Sequence, residues 1–138
     1  MDFSELARKS AEFVANINFH IAAAVNANAD DMVKLNISQM LNSKLSTGKV
    51  IMPKYSKAYA KRKGFKKPNL KVTGDFQDEM LFTASGQQYE IFSTDEKTGW
   101  LVDMYTDKIF GIAPDNQAKA QSMNDKTFIE LYFKWLRQ

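Results

Sequence analysis

The sequence predicts an α+β fold: a small antiparallel sheet flanked by a long N-terminal helix and a C-terminal helix. Three observations carry this. Apolar residues recur at three- and four-residue steps over positions 2–26. Two short runs rich in aromatic and β-branched residues, 82–84 and 89–94, flank Ser85-Gly86-Gln87, a hairpin signal. A second helical stripe closes the sequence. With 138 residues, 44% hydrophobic and 25% charged, one domain spanning 1–138 is expected, large enough to bury a core. A basic loop or arm at about 46–75 interrupts it.

In order, Phe3, Leu6, Phe13, Val14, Ile17, Ile21, Ala24 and Val25 place one apolar stripe on a helix over 2–26. Asp2 and Glu5 have capping-box spacing, and Arg8 and Glu12 are placed for a contact one turn apart. In the next segment Val33, Leu35, Ile37 and, less cleanly, Leu41 alternate with polar residues, which favours a strand, with helix as the alternative. A turn at 46–48, a short extended piece at 50–52 and a break at Pro53 follow. Tyr55, Tyr59 and Lys63 are spaced for two helical turns that Gly64 ends. After a loop forced by Pro68 and Gly74, residues 76–81 suit a short helix or turn capped by Thr73 or Asp75. Beyond the hairpin, Trp100, Leu101, Met104 and Tyr105 predict a helix over 96–106. Residues 109–112 are a compact apolar stop, and 113–123 a polar loop. Asn124 or Asp125 then caps a last helix, with Thr127 and Glu130 as a T-x-x-E pair. That helix is apolar nearly all round, and Phe128, Tyr132, Phe133 and Trp135 are its candidate oligomer-interface residues.

The charge is unevenly spread. Residues 54–71 hold eight of the 19 Lys and Arg and no acid, so the net +3 combines +8 there with −5 over the rest. The candidate contact residues are Lys54, Tyr55, Lys57, Tyr59, Lys61, Arg62, Lys63, Lys66, Lys67 and Lys71. Cations interleaved with Tyr55, Tyr59 and Phe65 suit phosphates and stacked bases. They equally suit an acidic protein surface or a solvated face, and no nucleic-acid module signature accompanies them.

The catalytic inventory is thin. There is no cysteine, which excludes disulfides and thiolate zinc sites. His20 is the single histidine and sits beside Ile21 as a core-edge residue. Asp75, Asp78 and Glu79 share a helical face, as acids at helix N-termini do for the dipole. Phosphate-binding, dinucleotide-binding and nucleophile-elbow motifs are absent. No enzymatic activity, metal or cofactor is expected. The start of the sequence has acids and no basic segment before an apolar run, unlike a signal peptide, and no apolar stretch reaches the ~20 residues of a membrane span.

An ordered set of short motifs carries a likeness. These are Asn36-x-x-Gln39, Gly48-Lys49-Val50-Ile51, Pro53-x-Tyr55-Ser56-x-x-Tyr59-Ala60-x-x-Lys63, Leu70-x-x-Thr73-Gly74-Asp75-Phe76, Ser93-Thr94-Asp95-x-Lys97-Thr98 and Ile109-Phe110-Gly111-Ile112. Over roughly residues 33–113 the set resembles small tailed-phage proteins from phages and prophages of gut Bacteroides-type bacteria. More loosely, it resembles virion-morphogenesis or tail-completion proteins. The resemblance implies a non-enzymatic virion structural protein of the neck or tail, a head–tail connector or tail-completion ring subunit. Its implied partners are copies of itself in a ring, portal, adaptor or tail proteins, and packaged DNA in the channel, with no membrane. The implied location is the virion, and the host cytoplasm during assembly. The basic stretch would then dock on a neighbouring subunit. A nucleic-acid-binding protein using 54–71 is the alternative.

Overall fold

The N-terminal periodicity forms helix, but in two pieces. A computed structural model describes residues 1–64, 68–71 and 74–138. Within them, α1 (Phe3–Ala15) and α2 (Ile17–Ala27) meet at Asn16, whose backbone leaves the helical region at φ −116°, ψ 32°. The Asn16 side chain donates back to the Glu12 carbonyl, a local bond that competes with the helical ladder. The single helix expected over 2–26 is thus a bent pair. The start is as its sequence suggests: Asp2 and Glu5 form a reciprocal capping box, and Arg8 meets Glu12 at 2.8 Å.

The segment expected as a strand is α3 (Ala29–Leu41). Its buried residues are Met32, Asn36, Gln39 and Met40, a helical face on which two of the four are polar. The apparent alternation of Val33, Leu35 and Ile37 arises because these flank that face and are only half-buried. After α3, Lys44 and Val50 form an isolated antiparallel bridge. Then α4 (Lys57–Lys63) is capped by Ser56, whose hydroxyl accepts from the Tyr59 N–H, and it ends at left-handed Gly64. Short α5 (Asp75–Asp78) begins at Gly74, with no side-chain cap from Asp75. Thr73, the other expected cap, lies outside the described residues.

Strands β1 (Met80–Ser85) and β2 (Gln88–Ser93) pair antiparallel, from Met80 opposite Ser93 to Ser85 opposite Gln88, with Gly86-Gln87 as the turn. Next come α6 (Thr98–Tyr105), a 3-10 turn at Asp107–Ile109, and α7 (Pro114–Leu136). The polar loop expected over 113–123 is therefore the first half of α7. Pro114 occupies the first helical turn, where its missing N–H costs nothing. The segment reads as polar because Ala120 is the one α7 side chain that is fully buried.

Among the described residues this is an α+β fold of seven α-helices and one two-stranded antiparallel sheet, with helices on both sides of the sheet. Helices α2 and α3 pack on β1, while α1 and α2 pack on α7. The main core joins Met32 and Met40 to Ile51, Leu70, Phe76, Ile91, Leu101 and Ile109. A separate aromatic cluster holds the helical end: Phe13 meets Phe128, Tyr132 and Trp135 edge-on and stacks on His20 at 3.9 Å. No described helix is long and apolar enough to cross a membrane.

A polar clamp fixes the turn between α6 and α7. Asn36 is 0% exposed. Its amide nitrogen donates to the Ile109 carbonyl, and its amide oxygen accepts from the Gly111 N–H, both at 2.9 Å. Gln39 donates to the Gly111 carbonyl at 2.8 Å and accepts from the Ala113 N–H and the Asn116 side chain. Gly111 has φ +127°, and an added Cβ would fall 2.8 Å from the Ser46 Cβ.

Two substitutions test this clamp. Asn36→Leu keeps approximate volume but strands the Ile109 carbonyl and the Gly111 N–H, each at about 1–3 kcal/mol. Urea unfolding is expected to show a loss on the order of 3 kcal/mol. A variant as stable as the parent would mean that apolar burial, not the bonds, holds the turn. Gly111→Ala is expected to destabilise as well, and Ser46→Gly to restore part of that loss, because φ strain remains after the clash is removed.

Candidate functional site

The arm returns to the core at both of its ends. Ile51 and Leu70 are buried in the main cluster. The Ser43 hydroxyl donates to the Pro68 carbonyl, and the Gln77 amide donates to the Leu70 carbonyl at 3.1 Å. Between these anchors, α4 faces α6 across a groove of about 430 Å³. That volume lies within the range of small-ligand and side-chain pockets. Leu70, Leu101 and Tyr105 form its buried floor, and Tyr55, Tyr59, Trp100 and Met104 its aromatic and apolar walls. Lys54, Arg62 and Lys97 supply charge around it.

The two arm tyrosines pack against each other and against neighbouring cations. Their rings meet edge-to-face at 4.7 Å, and the Asn69 N–H reaches the Tyr55 hydroxyl at 3.4 Å. Arg62 lies over the Tyr59 ring at 5.4 Å, while the Lys63 ammonium sits over Tyr55 at 5.4 Å and Tyr59 at 5.7 Å. Lys63 also donates to the Lys71 carbonyl at 2.6 Å. It therefore closes the arm rather than extending from it.

The opposite wall is set by the start of α6. The Asp95 carboxylate accepts from the Lys97 backbone N–H at 2.8 Å and pairs with its ammonium at 3.0 Å. The backbone bond from Lys97 chiefly holds the Asp95 carboxyl below its ordinary value, and the bond to Asp95 raises the Lys97 ammonium. Thr98 adds a bond from its hydroxyl to the Ser93 carbonyl at 3.1 Å. Trp100 is thereby presented 56% exposed at the rim. At the floor, burial pushes the Tyr105 phenol up, and the nearby Tyr55 and Tyr59 phenols add to the effect.

The sequence-predicted residues divide three ways. Lys54, Tyr55, Tyr59 and Arg62 line the groove; Lys57, Lys61 and Lys71 are exposed on the arm; Lys63 is turned inward. Lys66 and Lys67 lie outside the described residues, as does Phe65. The whole α6 wall is a contribution that sequence reasoning missed. Its signal was the four-residue step from Trp100 to Met104, which continues an apolar stripe outside the Leu101–Tyr105 face.

At the far end, Phe128, Tyr132 and Trp135 pack on Phe13 within the chain, and the Trp135 indole N–H donates to the Lys9 carbonyl at 2.9 Å. Of the four proposed interface residues, Phe133 is the exposed one, at 50%. The His20 ring lies among Phe13, Phe19 and Trp135, with Nε2 buried and unpartnered. Among the described residues, no group of three or more His, Asp or Glu is placed to hold a metal ion. A second hollow of about 270 Å³, between α2, the hairpin turn and α7, has no charged side chain in its lining.

No protein-family model, curated protein or solved structure matches this chain.

The Tyr105 phenol gives a direct check on the groove. Its folded pKa is raised, so its contribution to stability is intact below the ordinary value of about 10 and is lost as pH rises through the folded value. Phenolate absorbance during alkaline titration is expected to show a late component that Tyr105→Phe removes. A late component that persists in Tyr105→Phe would place the buried phenol elsewhere.

Proposed function

We propose that the chain is a non-enzymatic structural subunit of a tailed-phage neck or tail, a head–tail connector or tail-completion protein that works as a ring of identical copies. It acts in the virion and is present in the host cytoplasm during assembly. Its partners are its own copies and the portal, adaptor or tail proteins on either side.

One observation carries this beyond the motif likeness. Among the described residues, Lys54, Lys57, Lys61 and Arg62 are exposed and none takes part in an ion pair. Arm cations that pair with no acid among the described residues leave their charge available for a contact outside the chain. They are also held in place, because the arm is anchored at Ile51, Pro68 and Leu70. A positioned cationic surface suits recognition of a neighbouring subunit better than a flexible basic tail would.

The motif residues support the same reading. Asn36 and Gln39 bond to the segment that contains Ile109-Phe110-Gly111-Ile112, so the first and last motifs of the likeness form one joint. Ser56 caps α4, and Asp95 and Thr98 tie down the start of α6. These residues build the fold around the groove, as expected where shape is the function.

Binding of single-stranded nucleic acid needs ring faces open to bases. Here Tyr55 and Tyr59 turn edge-to-face, and Arg62 and Lys63 of the same chain cover the rings. Among the described groove residues only Trp100 presents a largely exposed ring. Protein docking is therefore favoured, with channel DNA a secondary contact for the outer lysines.

Mass spectrometry of gradient-purified particles, produced by cells carrying the gene in its phage or prophage, tests the assignment. The chain is expected in complete particles, and deletion of the gene is expected to leave heads and tails unjoined or tails unfinished. Infectious particles that lack the chain would overturn it.

A further inference from the structure

Along α7 the molecule has two different ends. The N-terminal end of α7 meets α3 and the residues just after it, through Gln39 to Asn116 and Lys44 to Asp115 at 2.5 Å. The C-terminal end meets α1, where Lys9 donates to the Leu136 carbonyl at 3.2 Å and Ser10 pairs with Tyr132 at 2.9 Å. The 23 residues between span about 34 Å at the ordinary helical rise. Helix α1 runs antiparallel to α7 there, so its first turns project past the end of α7. Phe3 on that overhang is 89% exposed, and Leu6, one turn on, is 37% exposed.

This overhang carries the chemistry that the groove lacks. Asp2 and Glu5 flank Phe3, and their capping box holds the turn helical without neutralising either carboxylate. The groove offers an apolar floor, an exposed Trp100 and the unpaired cations Lys54 and Arg62. An aromatic side chain buries about 150–250 Å² on entering such a pocket. In the single chain the start of α1 does not fill the groove, since no α1 residue lines it.

We propose that the first turn of α1, with Phe3 as its anchor, docks in the α4–α6 groove of a second copy of this chain. The contact is head-to-tail, and such contacts close into a ring where the rotation permits. This deepens the ring-subunit reading and rests on it for its biological setting. The Asp2 and Glu5 carboxylates face Lys54 and Arg62 across the contact, so the interaction weakens as salt rises.

Disulfide trapping tests it on the full chain, which has no native cysteine. One population carries Ser4→Cys, beside the anchor, and the other Met104→Cys, in the groove wall. After mixing under mild oxidant at low salt, the 4–104 heterodimer is expected to exceed both homodimers severalfold and to decline at high salt. Adding Phe3→Glu to the Ser4→Cys chain is expected to abolish the excess, with circular dichroism and melting unchanged because Phe3 is exposed. A heterodimer in merely statistical proportion, or one indifferent to Phe3→Glu, overturns the proposal. A dominant 4–4 product would show a two-fold α1 contact instead. Quenching of Trp100 by oligo(dT), without the 4–104 link, would assign the groove to single-stranded nucleic acid. If the chain is found in particles but the link fails, this contact is wrong and the ring assignment stands. If the link forms but infectious particles lack the chain, self-association stands and the ring assignment falls.

Discussion

The Asn36–Gln39 clamp is the constraint on which the rest of the structure depends. A sheet of two strands pairs little backbone, and the segment from Ile109 to Ala113 enters the core without joining that sheet. Its buried N–H and C=O groups must still be satisfied. Two side-chain amides on one face of α3 do this, contributing a donor and an acceptor each. The position of α7 follows, because Ala113 leads directly into it and Asn116 is held by the same Gln39 oxygen. The 46–48 loop follows too, since the absence of a Cβ at Gly111 lets Ser46 lie against the turn. A helix face that looks half polar is thus the most consequential surface in the core.

The same device recurs wherever irregular backbone enters the interior. Ser43 bonds to the Pro68 carbonyl, Gln77 to the Leu70 carbonyl, and Ser93 to the Phe76 carbonyl at 2.8 Å. Each bond anchors a loop that secondary structure leaves unpaired. Together they anchor described parts of the arm to the body, and the groove between α4 and α6 is already formed in the single chain. A groove formed in advance spares a partner the entropy of ordering it.

How much of this was legible depends on which signal each segment carries. The hairpin, the Asp2–Glu5 capping box, the Gly64 stop and the basic arm rest on local chemistry, and local chemistry is readable. The expected cap at Asn124 or Asp125, with its Thr127–Glu130 pair, instead falls inside α7, where the Thr127 hydroxyl donates to the Met123 carbonyl. Helix α3 read first as a strand, with helix only the alternative, because its core-facing positions include Asn36 and Gln39, which hydrophobic periodicity counts as solvent-facing. The first half of α7 was missed for a related reason: a narrow contact through Ala120 needs little apolar sequence, and Pro114 at the helix start was the remaining cue. The bend at Asn16 turns on one side-chain bond that competes with the helix. In the groove the arm half was visible from its charge. The α6 half was hidden because Trp100 and Met104 look like core until Leu101 and Tyr105 are seen to occupy it.

The aromatic cluster at the other end sharpens what α1 is for. Only Phe13 of α1 is fully buried, yet four rings from α2 and α7 converge on it. The helix is therefore secured by its C-terminal half, and its N-terminal half adds little to the fold. An amphipathic helix end that is capped, acidic and apolar, but uncovered, is an unusual expense for an isolated monomer, since exposed large apolar side chains in a contiguous patch invite association. Asp2 and Glu5 limit that association to surfaces of opposite charge. In this chain the arm concentrates such charge, and no α1 residue lines its groove. Pairing of Asp2 and Glu5 with arm cations of another copy favours head-to-tail over two-fold contact and gives the assembly a direction.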